Sequence, residues 1–122
     1  MKKRDPVSVF VNAFRGCVYA FSTQPNFLIH FLISILVVSL GIWLKVSPEK
    51  FIILILIIVL GLGMEMANTA FEATVDLITP RFHPQARIVK DVAAGMILLV
   101  AIGAAVLGIL ILLPPLWEKL FK

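Results

Sequence analysis

Four polar side chains interrupt the second long apolar run of the chain at helical spacing. They are Glu65, Asn68, Glu72 and Asp76, at offsets of 0, 3, 7 and 11 residues. These offsets place all four along one face of a helix, called the polar stripe below. Carboxylate and amide oxygens on one face suit a magnesium ion and a transferable proton. The polar stripe is therefore the candidate site.

A basic segment follows the polar stripe. Residues 79–91 include Pro80 and Pro84, which end one helix before the next begins. Cations beside metal-binding carboxylates can receive the phosphates of a nucleotide. Taken singly, His83 fits a loop hydrogen bond, but the combination favours the functional interpretation. The side chains concerned are Arg81, His83, Arg87 and Lys90.

The composition predicts that these residues lie in a membrane protein. The chain is 61% hydrophobic and 15% charged, with a mean hydropathy of +1.05. Its three apolar stretches each approach or reach the ~20 residues that a helix needs to cross a hydrocarbon core of ~30 Å. No run alternates with period two, so helices are favoured over a barrel. The stretches are 27–44, 51–70 and 92–113.

We predict a single all-α membrane domain over residues 1–122, with an amphipathic interfacial helix and three transmembrane helices. Apolar residues of the first helix recur at alternating spacings of four and three, which is typical of an amphipathic helix. A cytosolic helix that packs on its partners is the alternative. The predicted helix covers 5–23 and the spans cover 27–45, 50–78 and 86–113; the apolar positions are Val7, Val11, Phe14, Val18 and Phe21.

Lysine and arginine counts predict the orientation. Seven lie on the side of the N-terminus and the second loop, against four on the other side, which places the N-terminus in the cytoplasm. The net charge of +4 suits anionic headgroups and phosphates and gives no reason to invoke nucleic acid. The seven are Lys2, Lys3, Arg4, Arg15, Arg81, Arg87 and Lys90; the four are Lys45, Lys50, Lys119 and Lys122.

The polar stripe also predicts an oligomer. A carboxylate near the centre of a span costs about 2.5–3.5 kcal/mol, and three helices would shield it poorly from lipid. Interhelical hydrogen bonding is the structural alternative for the polar groups. Small residues of the third span would allow close helix contact, although membrane helices contain many such residues anyway. They include Ala93, Ala94, Gly95, Ala101, Gly103, Ala104, Ala105 and Gly108.

The residues resemble a known signature. Residues 65–76 read EMANTAFEATVD and residues 83–95 read HPQARIVKDVAAG. Together they closely resemble the small bacterial membrane kinases, the diacylglycerol kinase and undecaprenol kinase family, and the resemblance covers nearly the whole chain. It implies a homotrimer of the bacterial cytoplasmic membrane, with active sites shared between neighbouring subunits. The implied reaction is ATP- and magnesium-dependent phosphorylation of a lipid hydroxyl.

The resemblance also implies roles for individual residues. Glu65 would be the general base that takes the proton from the lipid hydroxyl, and Asn68 would order the same centre. Glu72 would bind magnesium, and Lys90 would contact the phosphates of ATP. The nucleotide side would comprise Glu72, Asp76, His83, Lys90 and Asp91.

One position departs from the family pattern. The family has a glutamate as a second metal ligand where this chain has Gln24. Glutamine still offers magnesium a carbonyl oxygen but contributes no charge. A non-catalytic lipid-binding or assembly relative is therefore one alternative to a kinase. A small channel or proton transporter that uses the polar stripe is another. The wholly apolar or glycine stretch 51–62 argues against a channel. Undecaprenol is the first choice of acceptor and diacylglycerol the second.

Overall fold

The computed structural model describes residues 5–122, in which every regular element is a helix. In chain order these are α1 (Pro6–Thr23), α2 (Pro25–Trp43), α3 (Pro48–Ile78) and α4 (Pro84–Phe121). The last three are long and apolar enough to cross a membrane. The predicted all-α class and the three apolar spans are confirmed. Lys2, Lys3 and Arg4 lie outside the described residues.

Each of the four helices begins at a proline. Proline is favoured at the first helical position for two reasons. Its fixed φ suits a helix, and a backbone N–H at this position would have no intrahelical partner, so its absence costs nothing. It also pushes the residue before it into extended backbone. Gln24, with φ −113° and ψ 101°, is therefore the single residue between α1 and α2. His83, with φ −141° and ψ 129°, ends the α3–α4 connection in the same way.

Helices α2 and α3 form a tight hairpin. Lys45 adopts the left-handed conformation at φ 51°, and the N–H of Val46 donates to the carbonyl of Gly41 at 3.2 Å. This is the usual way to close a helix end. A Cβ on Gly41 would lie 3.2 Å from ring atoms of Phe51, and Leu54 on α3 is 0% exposed. Helices α2 and α3 are therefore in van der Waals contact at Gly41, with no space for a larger side chain there.

The glycines of α4 are placed differently. Nothing lies within 4 Å of the position that a Cβ would take on Gly95, Gly103 or Gly108. Among the described residues, these three glycines therefore mediate no close helix contact within the chain. Of the small residues that were predicted to allow close contact, Ala93 is buried.

Helix α3 packs against all three of the other helices and most extensively against α4, and α2 also contacts α4. Helix α4 continues through Pro114 and Pro115 to Phe121. Near its end, Lys119 Nζ donates to the Trp43 carbonyl at 2.9 Å and lies 4.2 Å from the centre of the Trp43 ring. This contact ties the last turns of α4 to the end of α2.

Helix α1 leaves its apolar side chains uncovered by the rest of the chain. Phe14 is 71% exposed, and Val7, Val11, Val18 and Phe21 are exposed as well. The contact that α1 makes with α3 includes Cys17 Sγ, which lies 4.0 Å from Met66 Sδ. An interfacial position for α1 remains a prediction.

Candidate functional site

The first three members of the polar stripe form a cluster inside the bundle. Glu65 is 3% exposed, Asn68 is 8% exposed and Glu72 is half-buried. Asn68 Nδ2 donates to Glu72 Oε1 at 3.0 Å. Glu65 Oε1 and Asn68 Oδ1 are buried without a hydrogen-bond partner among the described residues. A buried acceptor left unpaired costs on the order of 1–3 kcal/mol, so the cluster suits a ligand that donates to it.

His30 on α2 belongs to this cluster and was not predicted as a site residue. Its Nε2 lies 3.7 Å from Glu65 Oε1. The sequence did contain a signal for this residue. A histidine within an otherwise apolar span has a high free-energy cost of insertion unless it has a polar partner. The contact between His30 and Glu65 brings the first turns of α2 alongside the middle of α3. The sequence did not show which part of α3 would pack against His30 on α2.

An apolar cavity of about 480 Å³ opens beside this cluster between α2, α3 and α4. Its polar lining residues are His30 and Ser34. Small side chains on α3 and α4, including Gly61, Ala101 and Ala104, leave the space. A chain of methylene or prenyl groups fits such a lining, because nothing there requires a hydrogen bond.

The fourth member of the polar stripe belongs to a second cluster, at the bundle end that carries the α3–α4 connection. A cavity of about 420 Å³ lies there. Lys90 Nζ is 2.6 Å from Asp76 Oδ1, and Arg87 Nε is 3.6 Å from Asp91 Oδ2. The lining also includes Arg81 and His83, so the cavity gathers the basic residues predicted from the sequence.

His83 has an observed structural role in this cluster. Its Nδ1 accepts a hydrogen bond from the backbone N–H of Gln85 at 3.2 Å, which caps the start of α4. The cap fixes the imidazole ring at the cavity, with Nε2 as the remaining ring nitrogen. A nucleotide contact by His83 is compatible with this cap and remains a prediction.

Helix α3 sets the separation of the two clusters. Glu72 and Asp76 are one turn apart, ~6 Å of helical rise, and Glu65 and Asp76 are separated by roughly 16 Å. Because the helix is continuous from Pro48 to Ile78, it holds the buried carboxylate and the basic cavity in fixed register. Glu72 lies between them.

The described oxygens fit a magnesium ion that takes most of its ligands from elsewhere. No three His, Cys, Asp or Glu side chains within residues 5–122 lie close enough to hold a metal by themselves. Magnesium, however, is usually bound by one or two carboxylates together with waters and substrate phosphates. Glu72, with the buried and unpaired Asn68 Oδ1 one turn away, meets that smaller requirement.

Gln24 is the other predicted metal ligand. It is the half-buried junction between α1 and α2. Its backbone N–H donates to the carbonyl of Ala20 at 3.0 Å. In the described chain, no hydrogen bond joins its side chain to Glu72. Its role as a metal ligand therefore remains a prediction.

Fold and site together define a small multi-pass membrane protein with a buried carboxylate beside an apolar cavity and a basic cavity further along the same helix. The model of the prokaryotic diacylglycerol kinase family matches residues 11–112. The chain therefore belongs to this family, and its enzyme class is that of a lipid kinase.

Two relatives show how the similarity is distributed. The chain is 38% identical over 107 residues to an undecaprenol kinase of Bacillus subtilis, which covers 88% of this chain and 87% of that protein. It is 41% identical over 108 residues to a diacylglycerol kinase of Synechocystis sp., which covers 88% of this chain and 62% of the relative. The second relative is thus considerably longer than the matched region.

Proposed function

We propose that the chain transfers the terminal phosphoryl group of ATP to the hydroxyl of a membrane lipid, in a magnesium-dependent reaction at the cytoplasmic membrane interface. The products are a lipid phosphate and ADP. The new bond joins the lipid oxygen to phosphorus, the bond from phosphorus to the leaving oxygen of ADP breaks, and the hydroxyl proton goes to a carboxylate.

One arrangement supports this reaction best. Glu65 offers a buried carboxylate within the spans, and the apolar cavity opens beside it at His30. A lipid hydroxyl is presented at that depth because its apolar chain stays within the bilayer. The chain of the acceptor would lie along the cavity, and its hydroxyl would meet Glu65.

The second cluster supports the nucleotide side. Lys90 can exchange its ion pair with Asp76 for a phosphate, and a cation held near a carboxylate is ready to do so without a large movement. Asp91 holds Arg87 at the same cavity. His83, fixed by its cap, contributes a ring nitrogen at the rim.

Magnesium, when bound, would neutralise charge on the transferred phosphoryl group. Glu72 is the proposed ligand, oriented by the hydrogen bond from Asn68, and Gln24 is the proposed second oxygen donor. Glu72 lies between the proton acceptor and the basic cavity, which is where such charge has to be neutralised.

Undecaprenol is the proposed first acceptor and diacylglycerol the second. The relative named undecaprenol kinase matches over most of its own length, whereas the relative named diacylglycerol kinase is longer. The apolar lining of the cavity suits either chain.

The proposal includes a homotrimer with the N-terminus in the cytoplasm and α1 on the membrane surface. The exposed apolar face of α1 supports burial in the interface. Glu72 is only half-buried in the single chain, so a neighbouring subunit can complete the site.

The test follows labelled phosphate from ATP into lipid with purified protein, magnesium and either undecaprenol or diacylglycerol. We expect transfer by the native chain and loss of transfer in Glu65→Gln and Glu72→Gln. Glu49→Gln is the matched control, because Glu49 is exposed at the other end of α3. That variant should retain native activity.

The opposite pattern would overturn the assignment. Normal transfer by folded Glu65→Gln protein would remove Glu65 as the base. No transfer to either lipid by folded, trimeric native protein would instead favour a non-catalytic relative. The preferred acceptor would decide between the two branches of the family.

A further inference from the structure

We propose that His30 is a positioning residue for Glu65. It fixes the carboxylate so that one oxygen faces the lipid hydroxyl arriving from the apolar cavity. This role rests on the proposed function of Glu65 as the base. His30 itself neither gains nor loses a proton in the step, because the hydroxyl proton passes to Glu65.

Geometry supports this role. His30 Nε2 lies 3.7 Å from Glu65 Oε1, beyond a formed hydrogen bond but within the range of an ion pair. Catalytic hydrogen bonds are often long before substrate binds and shorten in the loaded site. A small rotation of either side chain would let the ring N–H donate to Oε1, which would leave Oε2 for the hydroxyl proton.

The surroundings of Glu65 leave this task to His30. Thr69 Oγ1 lies nearby but donates to the backbone carbonyl of Glu65 at 2.9 Å, not to its carboxylate. Asn68 directs its amide N–H to Glu72. Within residues 5–122, His30 is the one cationic or ionisable basic side chain within ion-pair distance of Glu65.

The position of His30 in the cavity lining supports a functional role for its pairing with Glu65. His30 is a polar member of a lining that is otherwise almost wholly apolar, and its side chain is 29% exposed. An acceptor chain in the cavity would therefore bring its hydroxyl past this imidazole to reach Glu65. His30 thus connects the two, because it lines the cavity and lies within ion-pair distance of Glu65.

The experiment compares His30→Ala with His30→Gln in the full-length protein, measuring kcat and the KM of each substrate with a fixed lipid acceptor. We expect His30→Ala to lower kcat about 10- to 100-fold, because misplacing a catalytic group by about 1 Å has effects of this size. The KM for ATP should stay unchanged. His30→Gln restores an N–H donor at similar reach and should recover most of the lost kcat.

A control and a double variant separate positioning from general packing. Asn26→Ala removes a polar side chain one turn earlier on α2, where the residue is exposed, and should keep native kcat. In a Glu65→Asp background, whose shorter carboxylate is already displaced, adding His30→Ala should reduce kcat by far less than it does in the native chain.

The outcomes distinguish the two levels of proposal. Native kcat in His30→Ala, equal losses in the Ala and Gln variants, or full additivity with Glu65→Asp would each overturn the role of His30. The proposed function would survive these results as long as Glu65→Gln is inactive. Normal transfer by Glu65→Gln would overturn both.

Discussion

Lys90 Nζ lies 2.6 Å from Asp76 Oδ1, so the last turns of α3 and the first turns of α4 are joined by a charged hydrogen bond. The pair lines the cavity at the α3–α4 connection. Asp76 holds the Lys90 side chain in place and partly neutralises its charge until a phosphate group replaces the carboxylate as its partner. The pair therefore positions the cation proposed to receive phosphate.

Replacing Lys90 by methionine should lower kcat/KM for ATP about 10- to 100-fold, because a charged hydrogen bond contributes ~1.5–3 kcal/mol. Steady-state kinetics at varied ATP would measure this. Lys119→Met is the matched control, since Lys119 lies at the far end of the same helix, against Trp43. An equal loss in both variants would contradict a nucleotide contact by Lys90.

Changing Gln24 to glutamate should lower the magnesium concentration that gives half-maximal activity. The new carboxylate would add a charge where this chain offers only a carbonyl oxygen. A magnesium titration of activity measures the shift. Gln85→Glu, at an exposed position beside the start of α4, adds the same charge elsewhere. Identical titrations for Gln24→Glu and the native chain would argue against a ligand position there.

The proposed interfacial position of α1 predicts unequal labelling of neighbouring residues in membranes. In a Cys17→Ser background, Asn12→Cys should react with a polar thiol reagent much faster than Val11→Cys. Burial in the interface shields Val11, whereas Asn12 lies on another face. In detergent-free membranes, equal reaction rates at the two positions would rule out the interfacial orientation.

The α2–α3 hairpin predicts opposite effects of adding one methyl group at two glycines. Gly41→Ala should destabilise the protein, because the new Cβ would lie 3.2 Å from the Phe51 ring. Gly103→Ala meets open space and should stabilise α4 by roughly 0.5–1 kcal/mol through helix propensity. Thermal unfolding in detergent compares them. A stable Gly41→Ala protein would mean that Phe51 can move aside.

Sequence reasoning was most successful where periodicity or composition decides the structure. The apolar runs gave the three spans, and the spacing of Glu65, Asn68 and Glu72 placed them on one helix, where Asn68 and Glu72 do meet. The basic residues after Asp76 do line one cavity with it. All of these relations are local along the chain or follow from a single helix.

Relations between helices were harder to predict. The pairing of His30 with Glu65 depends on the register between α2 and α3, which no local pattern specifies. The third span was predicted to end at 113, but helix α4 continues to Phe121, and Lys119 near its end donates to the Trp43 carbonyl. Small residues in α4 suggested close contacts, whereas within the chain the tight approach is at Gly41.

The unpaired oxygens of Glu65 and Asn68 also make the protein suitable for ligand discovery by thermal shift. A compound that donates to these oxygens would relieve their desolvation cost as well as bind. It should therefore raise the melting temperature by more than its contact area suggests. Candidate inhibitors could then be ranked by melting temperature alone, without a lipid substrate or a turnover assay.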